Sequence, residues 1–254
     1  MSDNASSPNN GPRWKTLISD SLAKFPRAVG QYFSNLIRHV LIDFLFSVFQ
    51  LASVDEPFPQ VRSHIFREFL YPHPIKRPED VVLITSTDIR TPKIDQMSAN
   101  PYVQIHWYIE GTREQFRISG KVAIIGYQPK LSGLRQEVVD WEEKRMEIFN
   151  GLSAHMKASW CRPVPGSVLE GEDEVKRWPK RVDPPGEEKN EDGGEVSEED
   201  KRRNKAFWDL AVKRFALIVV EPVEVDYLNM GVVPNRRYRF RVERDGWEEQ
   251  EIVA

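Results

Sequence analysis

Alternating apolar and polar residues predict β-strands in the middle of the chain. In the segment PYVQIHWYIE, every second residue from Val103 to Ile109 is apolar, and Gln, His and Tyr fill the positions between them. Because successive side chains of a strand point to opposite faces, this spacing predicts a half-buried strand. The segment EQFRISGKVAII repeats the alternation, with Phe116, Ile118 and Val122 on the inward face. The short spacer EGTRE between the two segments predicts a hairpin.

Further strand patterns lie on both sides of this hairpin. The segments FQLASVD, QVRSHIFREF and DVVLITST precede it, and FALIVVEPVEVDYL and RRYRFRVERDGW follow later in the chain. A short helix is predicted in TPKIDQMSAN, where Thr91 suits the N-cap and Pro92 the first helical position. Mostly sequential strands without repeated β-α-β alternation favour an antiparallel barrel with peripheral helices over a doubly wound sheet.

Three other regions complete the predicted domain organisation. Residues 1–12 are predicted to be a disordered tail, and residues 13–48 an N-terminal helical segment with a possible insertion. Residues 49–254 are predicted to form the barrel, with a helix near 133–159. A largely disordered insertion, rich in Pro, Gly and charged residues, is expected at about 163–205.

Residues 29–51 are apolar over a length that raises the question of a membrane span. Arg38, His39 and Asp43 lie inside this stretch, and each is costly at bilayer depth. We therefore interpret the segment as an amphipathic or buried helix and expect no membrane insertion.

Composition excludes some functional classes. The 254 residues are 40% hydrophobic, and 36 basic against 39 acidic residues give a net charge of -3, so the chain is not expected to bind nucleic acid. Cys161 is the one cysteine, which rules out an intramolecular disulfide and favours a reducing compartment such as the cytoplasm. An inert thiol is favoured over a nucleophile at this position. The five histidines have no metal-ligand spacing, so no metal site is predicted.

Several segments, taken in order, resemble a known family. They are FQLASVD, PQVRSHIFREF and LITSTDIRTPKIDQMSANPYVQIHWYIEGTREQFRISGKV. This order resembles the pyridoxamine-5'-phosphate-oxidase-like FMN-binding family, in the branch with a TDxRSxK-like and a QFRISG element. The resemblance covers residues 49–125, resumes weakly at 135–160 and 215–249, and does not extend to 29–49. It implies an FMN-binding split β-barrel, related to the flavin-reductase-like folds, and a homodimer with the flavin at the subunit interface.

The resemblance also implies a set of cofactor-binding residues. They are Arg62, Ser63, Ile65, Arg67, Ser86, Thr87, Thr91, Lys93, Gln115 and Arg237. A helix N-terminus beside a lysine suits the FMN phosphate, since unpaired N–H groups and the helix dipole favour an anion. The carboxamide of Gln115 suits the mixed donor and acceptor edge of the flavin pyrimidine ring.

Other interpretations of these residues stay open on the sequence alone. The Thr-Pro-Lys element is also typical of an ordinary capped helix. Arg62 and Arg67 are five positions apart and point to opposite faces of a flat strand, so both reach one phosphate only across a bulge or if the ligand lies over the strand end. Either arginine alternatively lies on a solvated surface, and so does Arg237 together with Arg239 and Arg241.

The expected function is that of an FMN-dependent oxidoreductase with an unknown small-molecule substrate. The substrate-phosphate elements of pyridoxamine-phosphate oxidases are largely missing: only Arg135 offers a comparable charge in LSGLRQEVVDWEEKRM, and Val233–Arg237 replaces an Arg-Leu-His-Asp-Arg element. Vitamin B6 oxidation and a non-catalytic FMN-binding barrel are the alternatives. No catalytic residue is predicted, because some flavin reactions need no acid or base from the protein.

Overall fold

The computed structural model describes residues 11–29, 48–71, 81–127, 139–188 and 196–254. Within these ranges the elements are α1 (Arg13–Val29), β1 (Val48–Asp55), β2 (Phe58–Leu70), β3 (Val82–Asp88), α2 (Pro92–Ala99), β4 (Tyr102–Ile109), β5 (Glu114–Ile125), α3 (Trp141–Asn150), α4 (Ala154–Ser159), α5 (Glu172–Lys176), α6 (Glu198–Arg214), β6 (Phe215–Asn229), β7 (Arg236–Glu243) and β8 (Gly246–Ile252).

The eight strands form one sheet in the order β3-β2-β1-β4-β5-β6-β7-β8. An additional pairing of β3 with β6 closes the first six strands into a barrel, and β7 and β8 extend the sheet beyond it. Closure removes the two exposed edges that an open six-stranded sheet would have. The predicted fold class, an antiparallel barrel with peripheral helices, is confirmed.

The β4–β5 hairpin has the register and the faces that its sequence predicts. Ile109 is paired with Glu114, so the connection consists of residues 110–113. The four apolar residues of β4 and Phe116 and Ile118 of β5 are buried, whereas Val122 is half-buried. Trp107 lies at the centre of this apolar layer, 5.5 Å from the ring of Phe49 between centroids. Burial of an aromatic side chain of this kind contributes about 2–3 kcal/mol to stability.

The chain divides into two compact units. The first consists of residues 1–85, 96–123 and 219–254, and the second of residues 86–95 and 124–218.

In the first unit, buried apolar side chains and a buried hydrogen bond hold helix α1 in place. Trp14 and Ile18 are completely buried, and the Trp14 ring contacts Trp247 edge-on with centroids 5.4 Å apart. Ser21 donates a hydrogen bond to the buried carboxylate of Glu114.

In the second unit, the helices pack around aromatic residues. The ring of Phe149 lies 5.1 Å from Trp208 and 5.2 Å from Phe215 between centroids. The fully buried guanidinium of Arg145 donates to the carbonyls of Val212 and Phe215, at 2.8 and 3.1 Å. These carbonyls lie at the end of α6, where a helix leaves its last acceptors unpaired.

The described part of the predicted disordered insertion is ordered, which corrects that expectation for residues 163–188 and 196–205. This part contains α5 and the beginning of α6. Val182 is completely buried and its N–H donates to the carbonyl of Ala154 at 3.0 Å. The Asp183 N–H donates to the side chain of Asn204, also at 3.0 Å. The polar composition of the segment predicts disorder, but these hydrogen bonds connect it to other parts of the second unit.

Two predictions fall wholly or mainly on residues outside the described ranges. They concern the tail at 1–12 and the apolar segment at 29–51, of which 1–10 and 30–47 are not described. None of the described helices combines the length and the apolar character that crossing a membrane requires.

Candidate functional site

In the second unit, three of the predicted residues meet where β3 leads into α2. The strand ends at Asp88, and the helix begins at Pro92, as its sequence predicts. The turn between them is closed by Thr91, whose N–H and hydroxyl both donate to the carbonyl of Asp88, at 3.1 and 2.8 Å. The Thr91 carbonyl in turn accepts from the N–H of Ile94 at 3.0 Å.

Donor groups converge at this helix start. The Lys93 ammonium donates to the Thr87 hydroxyl at 3.2 Å, and the hydroxyl oxygens of Thr87 and Thr91 lie 3.4 Å apart. Both threonines are buried, Lys93 is half-buried, and the neighbouring Ser86 is also half-buried. An ammonium and two hydroxyl groups at the start of a helix form a polar set that suits a phosphate, with the Thr91 hydroxyl already donating to the Asp88 carbonyl. We call Thr87, Thr91 and Lys93 the helix-start cluster.

Two contacts next to this cluster compensate a negative charge and fix the end of β3. The carboxylate of Asp88 is paired with both Nε and Nη2 of Arg90, at 2.9 and 2.6 Å, so its negative charge is compensated. The indole N–H of Trp160 donates to the carbonyl of Thr87 at 3.1 Å in a buried setting, which fixes the end of β3.

In the first unit, Arg62 is bonded within the protein. Its guanidinium donates to Ser53 Oγ at 2.7 Å and to Gln96 Oε1 at 2.5 Å. The Gln96 amide donates onward to Asp55 at 2.8 Å. Burial lowers the pKa of Arg62 below its ordinary value, although Asp55 acts in the opposite direction. Arg62 is therefore not a solvated surface charge, because the side chains of Ser53 and Gln96 hold its guanidinium.

Arg67 lies at a β-bulge of β2. The pairing with β3 shifts between Phe66, opposite Thr85, and Glu68, opposite Ile84, so Arg67 is the additional residue. For Arg62 and Arg67 to reach one ligand, their spacing required either a bulge or a ligand over the strand end, and the structure contains a bulge. Burial lowers the pKa of Arg67 below its ordinary value.

Ser63, Ile65 and Gln115 lie on the β2–β1 and β4–β5 strand pairs of the first unit. Ser63 is exposed and is paired with Gln50, whereas Ile65 is half-buried and is paired with Val48. Gln115 is half-buried opposite Tyr108, on the face of β5 that points away from the core. Within the described residues its carboxamide makes no hydrogen bond, so its donors and acceptor are available to a ligand.

Arg237 is held by a buried carboxylate. Its Nε and Nη2 donate to the two oxygens of Asp226, at 2.9 and 2.8 Å. Arg117 Nη2 donates to the same carboxylate at 2.7 Å. Burial opposes the ionisation of Asp226, but the hydrogen bonds from Arg237 and Arg117 outweigh it and keep the pKa of Asp226 below its ordinary value. Within the described residues Arg237 Nη1 has no hydrogen bond, so one edge of the guanidinium stays open.

Sequence reasoning missed the residues that hold the predicted ones in place: Gln96, Trp160, Asp226 and Arg117. Arg117 carried a usable signal, because it lies two positions after Gln115 on the same strand face. The others are isolated in sequence from the residues they contact.

His64 has the structural character expected of the strand histidines, whereas His106 is exposed on β4. His64 is buried, its ring is stacked 6.1 Å from Phe49, and Nδ1 lies 3.4 Å from the Thr85 hydroxyl. Among the residues with described positions, no group of His, Cys, Asp and Glu has the geometry of a metal site.

Comparison with known proteins connects part of the chain with one family. Residues 31–126 match the family model described as pyridoxamine 5'-phosphate oxidase, FMN-binding domain. The match begins at residue 31, so the expectation that 29–49 lies outside the resemblance is wrong for most of that segment. The protein named pyridoxine/pyridoxamine 5'-phosphate oxidase 2 from Arabidopsis thaliana is 27% identical over 173 residues, which cover 68% of this chain and 67% of that protein.

Solved structures share the fold over almost the whole chain. A pyridoxamine 5'-phosphate oxidase-related, FMN binding protein from Nostoc punctiforme PCC 73102 is 22% identical, with a TM-score of 0.65 over 96% of this chain and 100% of that one. PhzG from Burkholderia lata 383 is 16% identical, with a TM-score of 0.54 over 100% of both chains. At these identities the likeness establishes the fold.

Proposed function

We propose that this chain is an FMN-dependent oxidoreductase whose phosphate site is the helix-start cluster, a proposal supported by the match of residues 31–126 to an FMN-binding domain model. The observation that carries the proposal is the convergence of Lys93 with the Thr87 and Thr91 hydroxyls at the beginning of α2. This donor set fits the phosphate of FMN in charge and in hydrogen-bonding type.

Each residue of the cluster has a separate role in the proposal. Lys93 supplies the positive charge and Thr87 a hydroxyl donor from a buried position, while the Thr91 hydroxyl holds the turn by donating to the Asp88 carbonyl. Arg90 keeps the nearby Asp88 carboxylate from repelling the phosphate. Trp160 fixes the end of β3, which limits how far the Thr87 hydroxyl moves when an anion enters.

Seven other residues remain predicted FMN contacts that rest on the resemblance. Ser86 lies beside the cluster in the second unit, and the others belong to the first unit: Arg62, Ser63, Ile65, Arg67, Gln115 and Arg237. Two of them have open hydrogen-bonding groups among the described residues, the carboxamide of Gln115 and Nη1 of Arg237. Bound FMN supplies hydride chemistry, while the protein binds and orients it and limits access of water.

Purification and a matched pair of variants test the cofactor site. We expect the protein to retain FMN or to take up added FMN, with the absorbance of an oxidised flavin. Lys93→Ala removes a charge-assisted contact worth about 1.5–3 kcal/mol, so the Kd for FMN should rise about 10- to 100-fold. Lys213→Ala, at an exposed position of α6, is the control and should leave the Kd unchanged.

Two results would contradict these proposals. A colourless protein that does not take up FMN would refute cofactor binding altogether. A Lys93→Ala variant with the Kd of the unaltered protein would leave FMN binding standing and would refute the helix-start cluster as the phosphate site.

Vitamin B6 oxidation is the second candidate, because the Arabidopsis relative at 27% identity is named for that reaction. The loop that replaces the Arg-Leu-His-Asp-Arg element speaks against it, since Val233 has neither charge nor donor and is almost fully exposed. Incubation of the FMN-loaded protein with pyridoxamine 5'-phosphate tests this candidate. Release of peroxide together with formation of pyridoxal 5'-phosphate would establish B6 oxidation. If neither product forms, the substrate is a different compound.

A cytoplasmic homodimer is the assembly and location that we propose. The resemblance implies the dimer, and exposed apolar residues such as Val61 and Tyr108 on strands of the first unit are consistent with a covered surface. Light scattering coupled to size exclusion should give twice the 29.5 kDa chain mass, and a mass of one chain would refute the dimer. The single cysteine supports a reducing compartment.

A further inference from the structure

A cavity of about 460 Å³ lies in the second unit, beside the chain that follows α4. Its volume falls in the range of small-molecule sites. The lining includes Trp160, Trp178, Arg162, Pro163 and Pro165, with Asp88 at the edge that borders β3. Thr87, Thr91 and Lys93 do not line it, so the cavity is separate from the helix-start cluster.

The walls of this cavity are largely apolar, and packing fixes the position of Trp160 among them. The indole of Trp160 is buried against Phe149 and Phe215, with ring centroids 6.5 and 5.2 Å away, and its N–H is bonded to the Thr87 carbonyl. Its ring therefore presents a fixed apolar surface. Farther along the wall, Val168 is 90% exposed and Leu169 is 52% exposed. Aliphatic groups left this open gain from contact with an apolar ligand.

Arg162 gives the cavity a charged group that contacts an aromatic ring. Its guanidinium carbon lies 5.6 Å from the centroid of the Trp178 ring. Among the described residues, its side chain has no hydrogen bond and no ion pair. Stacking on an aromatic ring restricts the orientation of a guanidinium while its N–H edge stays available to an anion.

Other charged side chains lie close to Arg162. Arg90 and Arg214 both donate to the Arg162 carbonyl, at 3.1 Å. The carboxylates in the lining are Asp88, which is already paired with Arg90, and Glu174, which accepts from the N–H of Glu170 at 3.0 Å. Arg162 is therefore the basic side chain of the lining, and since Arg90 compensates Asp88, Glu174 is the carboxylate that remains beside it.

We propose that this cavity binds a small aromatic carboxylate, with the carboxylate paired to Arg162 and the ring system against Trp178 and Trp160. The pairing supplies orientation, since a guanidinium matches both oxygens of a carboxylate. The aromatic and aliphatic walls supply most of the contact area, as in other small-molecule sites. The proposal rests on the cavity alone and holds whether or not the chain is an oxidoreductase.

Calorimetric titration of the full-length protein with 2-naphthoate tests the pocket, and the neutral 2-naphthalenemethanol is its matched control. The carboxylate should bind at one site per chain and more tightly than the alcohol. Arg162→Gln should weaken 2-naphthoate about 10-fold or more, as loss of a charged hydrogen-bond donor predicts, with little effect on the alcohol. Trp178→Leu should weaken both compounds, and Arg202→Gln on exposed α6 should weaken neither.

Several outcomes would overturn the proposal. The absence of saturable 2-naphthoate binding would do so, and so would binding that Arg162→Gln leaves unchanged. If FMN displaces 2-naphthoate at one-to-one stoichiometry and Arg162→Gln weakens both equally, the cavity is part of the flavin site. Lys93→Ala separates the proposals, because it should weaken FMN and leave 2-naphthoate unaffected. Arg162 is exposed, so its variant should fold even if Trp178→Leu does not.

Discussion

Replacement of Asp226 by asparagine tests whether a buried carboxylate holds Arg237 in position. The substitution keeps the shape of the side chain and removes the charge that two guanidinium groups share. The Asp226 side chain is 8% exposed and that of Arg237 is 27% exposed, so their two-point contact is only weakly screened. The Arg117 side chain is 40% exposed and contributes less.

The magnitude follows from these exposures. A charged hydrogen-bond contact of the Arg237 kind contributes about 1.5–3 kcal/mol, and an exposed pair such as that with Arg117 contributes about 0–1 kcal/mol. We therefore expect Asp226→Asn to lower the free energy of unfolding by about 2–3 kcal/mol at pH 7.

The pH dependence identifies the cause. Because the pKa of Asp226 is lowered in the folded protein, its contribution is complete above the ordinary aspartate pKa of about 3.9 and is lost as the pH falls through the folded value. Urea unfolding at pH 7, 5 and 3 should show a difference between the two proteins that is steady from pH 7 to 5 and shrinks at pH 3. A difference of equal size at all three values would indicate a packing defect and refute the electrostatic reasoning, and no difference at pH 7 would refute the contact itself.

Two further predictions concern the second unit. Arg145→Met should lower the free energy of unfolding by about 1–3 kcal/mol, because it leaves carbonyls at the end of α6 without a donor; urea titration measures this, and Arg145→Lys should recover part of the loss. A decrease within about 0.5 kcal/mol, typical of surface positions, would show that Arg145 has no such role. Burial raises the pKa of the Cys161 thiol to about 11, outweighing the nearby Arg214 and Arg90, so alkylation by iodoacetamide at pH 8 should be far slower in the folded than in the urea-unfolded protein. Equal rates in the two states would contradict the assignment of Cys161 as an inert thiol.

The strands and their faces were predictable because they depend on residues that are close in sequence. Alternation from Val103 to Ile109 requires only that successive side chains of a strand point to opposite faces. The helix start at Pro92 follows from the same kind of local rule, since proline suits the first helical turn. The helix-start cluster was therefore within reach: Thr87, Thr91 and Lys93 span seven residues.

The partners of the other predicted residues depend on register and closure, which no local pattern determines. Asp226 meets Arg237 from 11 positions away and Arg117 from 109, and only the pairing of β6 with its neighbours brings the three together. The order in residues 163–188 likewise depends on contacts such as Val182 with Ala154, where a few distant hydrogen bonds compensate for a sequence poor in apolar residues. By itself the sequence determined the strands, their inward faces and the start of α2, because these obey local backbone geometry. Tertiary structure decided which charges are paired and which, like that of Arg162 among the described residues, remain open to a ligand, because pairing requires proximity in space.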